Sequence, residues 1–295
     1  MLGNYSKLFF GVIFFISSIY AHKFESFVLI TTLYNETNVA RRAEYITCLD
    51  NNLKNPCIDT IHILYDTARD EGSLELLNYL KEKNLVLEYI VGRPTYQYCF
   101  DLANKMYPDR AIILANADIY FNHTLDLLRD YDLHNKFLAI TRWDLLSDGS
   151  VALYDNIGSQ DAWIFNTPLK TFDRANFEIG TVHCDPLIAG YAWLSGLEVI
   201  NPCFSVRCCH CHLSDLRQRG DCDIRGHYYA MLPFNWLDVD NYSICLSRRS
   251  YEQLMTIIAK KEKLRELIDK RQGIGVGEHM KMYGKKVTCY VGKLS

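Results

Sequence analysis

An acid set at the mouth of an apolar strand is a ready ligand for a hard cation, and residues 111–121 (AIILANADIYF) place one there. The run AIILA reads as a buried parallel strand, and in open α/β sheets ligands bind beyond the carboxyl ends of the strands. Asp118 is thereby expected at the rim of a sheet with Asn116 beside it, able to hold a divalent cation that carries a diphosphate. An isolated acid after a strand turns the chain just as well, so the assignment depends on what accompanies it. Two histidines do: His210 and His212 alternate along an extended segment and share one face. Trp143 and Asp144 follow an apolar strand, and Gln160, Asp161 and Trp163 follow a glycine-containing loop. These residue types suit the binding of a hydroxylated ligand, aromatic faces for packing and carboxylates or amides for hydroxyl groups.

The elements that must position these side chains are read from periodicity. Apolar, β-branched runs at 27–33, 60–65, 85–91, 111–115 and 137–141 read as strands. Stretches at 38–53, 74–83 and 98–106 carry apolar residues at helical spacing. Strands alternating with helices at this pace imply an α/β fold with a mainly parallel sheet covered on both faces. Beyond Trp143 the alternation weakens. Residues 250–271 read as one long amphipathic helix, expected to pack on the sheet domain, with a membrane surface as the alternative because lysines flank its stripe. Glycines 273, 275 and 277 follow no strand and read as a flexible link, not a phosphate loop.

At 295 residues the chain has ample material for a core, and its net charge of −3 provides no basic field for nucleic acid. Lys7 precedes an apolar stretch over 8–21, which reads as a secretory signal, or alternatively as a short membrane anchor. The expected division is a leader at 1–21, the main α/β domain at 22–248 and a C-terminal helix and tail at 249–295, working in the lumen of the secretory pathway or otherwise outside the cytosol. Eleven cysteines behind such a leader suggest disulfides. The spacing of Cys208, Cys209, Cys211 and Cys222 around the two histidines matches no paired zinc knuckle. Sequons stand at Asn35, Asn122 and Asn241, the first too close to the expected site to welcome a glycan.

Taken in order, these motifs resemble those of nucleotide-sugar glycosyltransferases of the GT-A fold, and in particular the large family of inverting single-domain enzymes. The resemblance spans roughly residues 27–217. The first strand ends in Thr32, Tyr34 and Asn35, followed by Arg41 and Arg42, where such enzymes begin to cradle the nucleotide. Asp66 ends the second strand, where the family contacts base or ribose, and Arg93 stands where a basic residue approaches the nucleotide. Asn116-Ala-Asp118 is similar to the family's D-x-D metal motif, with Asn replacing the first Asp. Residues 158–165 resemble the acceptor loop and its strand. Cys184-Asp185 resembles the E-D pair that opens a helix, with Cys in place of Glu. His210 and His212 fall where the family sends a histidine back to the metal.

The resemblance implies an inverting, metal-dependent transfer of a sugar from a nucleotide-diphosphate donor to a hydroxyl of a glycan, protein or lipid. Mn²⁺ or Mg²⁺ would be held by Asp118 with His212 or His210. Asp185 would be the general base, with Asp161 its rival, and Asn116 would assist on the donor side. Trp143, Asp144, Gln160 and Trp163 would meet the substrates. The two departures, Asn116 and Cys184, keep an alternative open: a secreted module of the same fold that binds glycans without turnover. Donor, acceptor and oligomeric state are not legible in the residues.

Overall fold

The computed structural model describes residues 24–70, 74–154, 158–170, 172 and 174–214. The leader at 1–21, the helix at 250–271, the glycine-rich link, Cys222 and the sequon at Asn241 lie outside the described residues. The order of elements is β1 (Phe27–Tyr34), α1 (Val39–Lys54), β2 (Ile58–Asp66), α2 (Glu75–Lys81), β3 (Val86–Ile90), α3 (Tyr96–Met106), β4 (Ala111–Ala115) and β5 (Ile119–Phe121). There follow β6 (Lys136–Ile140), β7 (Trp143–Leu145), β8 (Val151–Leu153), β9 (Ala162–Asn166), α4 (Cys184–Leu194), β10 (Glu198–Ile200) and β11 (Cys208–His210). Among the described residues no helix is long and apolar enough to cross a membrane.

The expected α/β architecture forms, a seven-stranded sheet in the order β10-β6-β9-β4-β1-β2-β3. Its pairs are parallel except those of β9, which runs antiparallel to both β4 and β6. Alternation along β1 divides the core in two. Phe27, Leu29 and Leu33 face a layer that includes Tyr45 and Leu49 of α1 and Leu76, Leu77 and Leu80 of α2. Val28 and Ile30 face the opposite layer, with Phe100 and Ala103 of α3 and Ile188 and Ala189 of α4. A sheet buried on both faces explains why its central strands read as continuous apolar runs.

A second sheet, β5-β11-β7-β8, stands beside the first. Its β5 and β11 are antiparallel, with His210 opposite Ile119, and β11 pairs with β7 so that His210 lies opposite Asp144. This register fixes the histidine segment against the residues just after Asp118. The side chain of Asn52 on α1 secures β5: its Nδ2 donates to the Ile119 carbonyl at 2.9 Å, and its Oδ1 accepts from the Phe121 amide at 3.0 Å.

All eight described cysteines carry free, buried thiols. The expectation of disulfides is corrected for these residues: Cys48, Cys99, Cys184 and Cys208 serve as small apolar side chains of the interior. Asn35 is likewise only 3% exposed, which denies its sequon a glycan.

Candidate active site

Strand order reverses at β1 and β4: the chain lays down β2 and β3 on one side of β1 and then returns to place β4 on the other. Ligand crevices form at such a switch point, beyond the carboxyl ends of the strands. There the protein has an open cleft of about 670 Å³, whose lining includes Thr32, Tyr34, Arg41, Asp66, Arg69, Arg93, Asn116, Asp118, Arg142, Asp161, His210 and His212.

Asp118 is the centre of the polar network. Its carboxylate, His210 and His212 each offer a ligand atom, and these atoms lie within 4.8 Å of one another. His210 Nε2 is 3.1 Å from Asp118 Oδ2, and His212 Nδ1 is 4.0 Å from the same oxygen. The other ring nitrogen of His210 bonds Asp144 Oδ1 at 2.7 Å, the arrangement by which an outer carboxylate orients a metal-ligating imidazole. Asp144 was expected to meet substrate hydroxyls; its Oδ1 also accepts from Arg142 Nε at 2.8 Å, so it acts on the site through His210. A mixed set of one carboxylate and two imidazoles is chemically suited to a divalent transition ion such as Mn²⁺, so these residues fit the metal that the resemblance implies.

The same carboxylate is ion-paired with Arg41, whose other terminal nitrogen donates to Glu44 at 2.8 Å and to the Cys211 carbonyl at 3.3 Å. Burial works against charge at Asp118, but the hydrogen bond from His210 and the cationic charge of His210 and Arg41 hold it well below the usual carboxylate range. Burial also opposes charge on His210, yet its bonds to Asp118 and Asp144 push its pKa up to about 9.

At the ends of β2 and β3, Asp66 Oδ1 accepts from the Ala68 and Gly92 amides at 2.9 and 2.7 Å. Gly92 has φ +82°, a left-handed conformation that a side chain would strain. Arg93, next in the chain, donates to the Gly180 carbonyl at 3.3 Å and lines the cleft. The guanidinium of Arg69 lies 4.5 Å over the Tyr34 ring, and the Tyr34 hydroxyl donates to Glu36 at 2.9 Å. Thr32 lines the cleft, whereas Asn35 is buried and does not.

Asn116 stands between the two halves. Its side-chain amide donates to Asp161 Oδ1 at 3.1 Å, and Arg142 grips both oxygens of Asp161 at 3.1 and 3.2 Å. Asp161 lines the cleft; Asp185, in the first turn of α4, is partly exposed just behind it and feels its charge. Burial and then the charge of Asp161 push Asp185 up to about 8, against the opposing bonds from the Cys184 thiol (3.1 Å) and the Gln160 backbone.

Three further expected substrate contacts, besides Asp144, are corrected. Trp163 is wholly buried and packs edge-on against Tyr96 at 5.0 Å, because β9 is an interior strand. Gln160 is likewise wholly buried. Trp143 sits outside the cleft lining: its indole donates to the Cys203 carbonyl at 2.8 Å, and Arg207 lies 4.5 Å over its ring. Residues not anticipated are Arg69, Glu44 and Tyr45. The signal for Arg69 was its position three residues past Asp66; nothing local distinguished Glu44, whose importance comes from the fold.

No protein-family model and no curated protein matches the chain. Among solved structures it is similar to the mannosyltransferase PcManGT from Pyrobaculum calidifontis, solved in complex with GDP-Man and Mn²⁺, at 15% identity and TM-score 0.43 over 63% of this chain. It is also similar to S. aureus TarS, at 16% identity and TM-score 0.39 over 58% of this chain. A third is a nucleotide-diphospho-sugar transferase, so described with reservation, from Desulfovibrio desulfuricans G20, at 12% identity and TM-score 0.40 over 59% of this chain and 78% of its own length. The chain spans 56% of the first of these proteins and 34% of the second.

Proposed function

We propose that the protein is a glycosyltransferase that moves a sugar from a nucleotide-diphosphate donor to a hydroxyl acceptor with inversion at the anomeric carbon. The observation that carries this reading is the convergence of Asp118, His210 and His212 at the sheet's switch point, in one cleft with Asp66, Arg69 and Arg93. Cations along one wall suit a diphosphate, and the carboxylate of Asp66, fixed by two amides, suits the nucleoside. Asp118, His210 and His212 would hold Mn²⁺ in preference to Mg²⁺, since imidazole nitrogen is a poor ligand for the harder ion. When bound, that cation supplies charge neutralisation to the departing diphosphate.

The chain's own residues provide the remainder. Asp161, locked by Arg142 and Asn116, fixes the acceptor end of the cleft. Asp185 is the general base: a carboxyl raised to about 8 is a stronger proton acceptor than an ordinary one, and such catalysis contributes about 10²–10⁴-fold. Direct attack by the deprotonating hydroxyl on the face opposite the diphosphate inverts the sugar. The second reading, a module of the same fold that binds glycans without turnover, would release no nucleoside diphosphate.

The test is release of nucleoside diphosphate when the full chain meets a panel of nucleotide sugars with Mn²⁺. Release that is abolished by chelation, and far weaker with Mg²⁺, is the expected result. No release from any donor would overturn the proposal.

A further inference from the structure

The proposed cation site holds a positive charge of the protein's own. Arg41 donates to Asp118 Oδ2, the oxygen that His210 Nε2 and His212 Nδ1 also face. Asp118 and Arg41 are both buried, at 9% and 7% exposure. A carboxylate taken out of water needs a partner, and the guanidinium supplies it at the atom where a metal ion would bind. We propose that Arg41 is a counter-ion of Asp118 that competes with the metal, one that an arriving divalent cation must displace from this carboxylate. This rests on the metal reading of that site given above.

The surroundings of Arg41 suit such a displacement. Its Nη1 is held apart from Asp118, by Glu44 at 2.8 Å and the Cys211 carbonyl at 3.3 Å. Its guanidinium carbon lies 4.7 Å over the Tyr45 ring. Glu44 is in turn fixed by the Ser214 amide at 2.6 Å and the Ser214 hydroxyl at 3.0 Å. A guanidinium released by Asp118 therefore keeps three of its four contacts and need only turn Nη2 toward the cleft, which it already lines. There it would face the diphosphate. The device gives the fold a neutralised carboxylate when no metal is present, and it weakens the intrinsic hold on the cation by competition and like-charge repulsion.

The test is Mn²⁺ affinity, read from the free-ion EPR signal during titration of the full-length chain without donor. Arg41→Gln keeps a polar side chain but withdraws the charge from Asp118, and should bind Mn²⁺ at least tenfold more tightly than the unaltered protein. Arg41→Met, apolar and about as long as glutamine, should do the same and serves if the glutamine variant does not fold. Arg42→Gln removes an equal charge one residue away, from a guanidinium that pairs with Glu75 instead, and should change affinity by less than twofold. Equal or weaker binding by both Arg41 variants, with measurable uptake by the unaltered chain, overturns the counter-ion role and leaves the metal site standing. A rise in Arg42→Gln matching that in Arg41→Gln would overturn it too, by reducing the effect to net charge. Absence of uptake by every protein removes the metal site itself, and the counter-ion with it.

Discussion

Asp118 and Asp185 are carboxyl groups of one fold driven in opposite directions by their neighbours. Asp118 stands among cations and stays ionised; Asp185 stands behind a second acid and holds its proton to about pH 8. Asp118→Ala should remove metal-dependent turnover, to below a thousandth of the original rate, as measured by nucleoside diphosphate release. For Asp185 the sign follows from the direction of its shift. The folded chain retains a proton that the unfolded chain loses near the ordinary value of 3.8. Its contribution to stability is therefore fully present below that value and is lost as pH rises toward 8. Asp185→Asn should thus fold and raise Tm at pH 8 by roughly 2–4 °C, the yield of about 1 kcal/mol in a domain of this size, while transferring no sugar. As a base, Asp185 must shed its proton to act, so the transfer rate of the unaltered protein should climb from pH 6 and level off near pH 9. A flat profile, or transfer by Asp185→Asn, would move the role to Asp161.

At the scale of elements, the site depends on a three-residue strand that a helix side chain holds in place. Asn52 satisfies one amide and one carbonyl of β5, whose first residue follows Asp118 directly. Asn52→Ala leaves two buried backbone groups unpaired, at a cost of roughly 1–3 kcal/mol each. A scan should show Tm lowered by several degrees, and an EPR titration weaker Mn²⁺ uptake; an unchanged Tm would contradict the role given to this side chain. The long elements were legible in the sequence because they repeat a period: β4 falls on 111–115 as read, α1 within a residue of its expected ends, and α3 two residues earlier than expected, where Thr95 caps it through the Tyr98 amide. Strands β5, β7, β8 and β11 are three residues each, too short to display any alternation. Hence the second sheet, and with it the bond between Asp144 and His210, could not be read. The burial of Trp163 was hidden for a related reason: the run at 162–166 (AWIFN) does not tell an edge strand from one paired on both sides.

Across the whole molecule, the cleft is assembled from chain positions far apart: Arg41 on α1, Asp118 after β4, Asp144 on β7 and His210 on β11. Types and order of the chemical residues survived in the sequence, and so the cluster of Asp118 and the two histidines could be named. Partnerships across 77 residues, as between Arg41 and Asp118, or 92, as between Asp118 and His210, belong to the topology alone. The switch point between β1 and β4 accounts for the cleft, and the second sheet brings the histidines to it. That convergence is most directly tested by pulsed EPR on the Mn²⁺-loaded protein in the presence of a nucleoside diphosphate. Couplings to two imidazole nitrogens and to phosphorus in the same spectrum are expected, with the nitrogen couplings lost in a His210→Ala, His212→Ala double variant. A manganese–nucleotide signal with no histidine nitrogen in the unaltered protein would contradict the cation site on which the sugar-transfer reading stands.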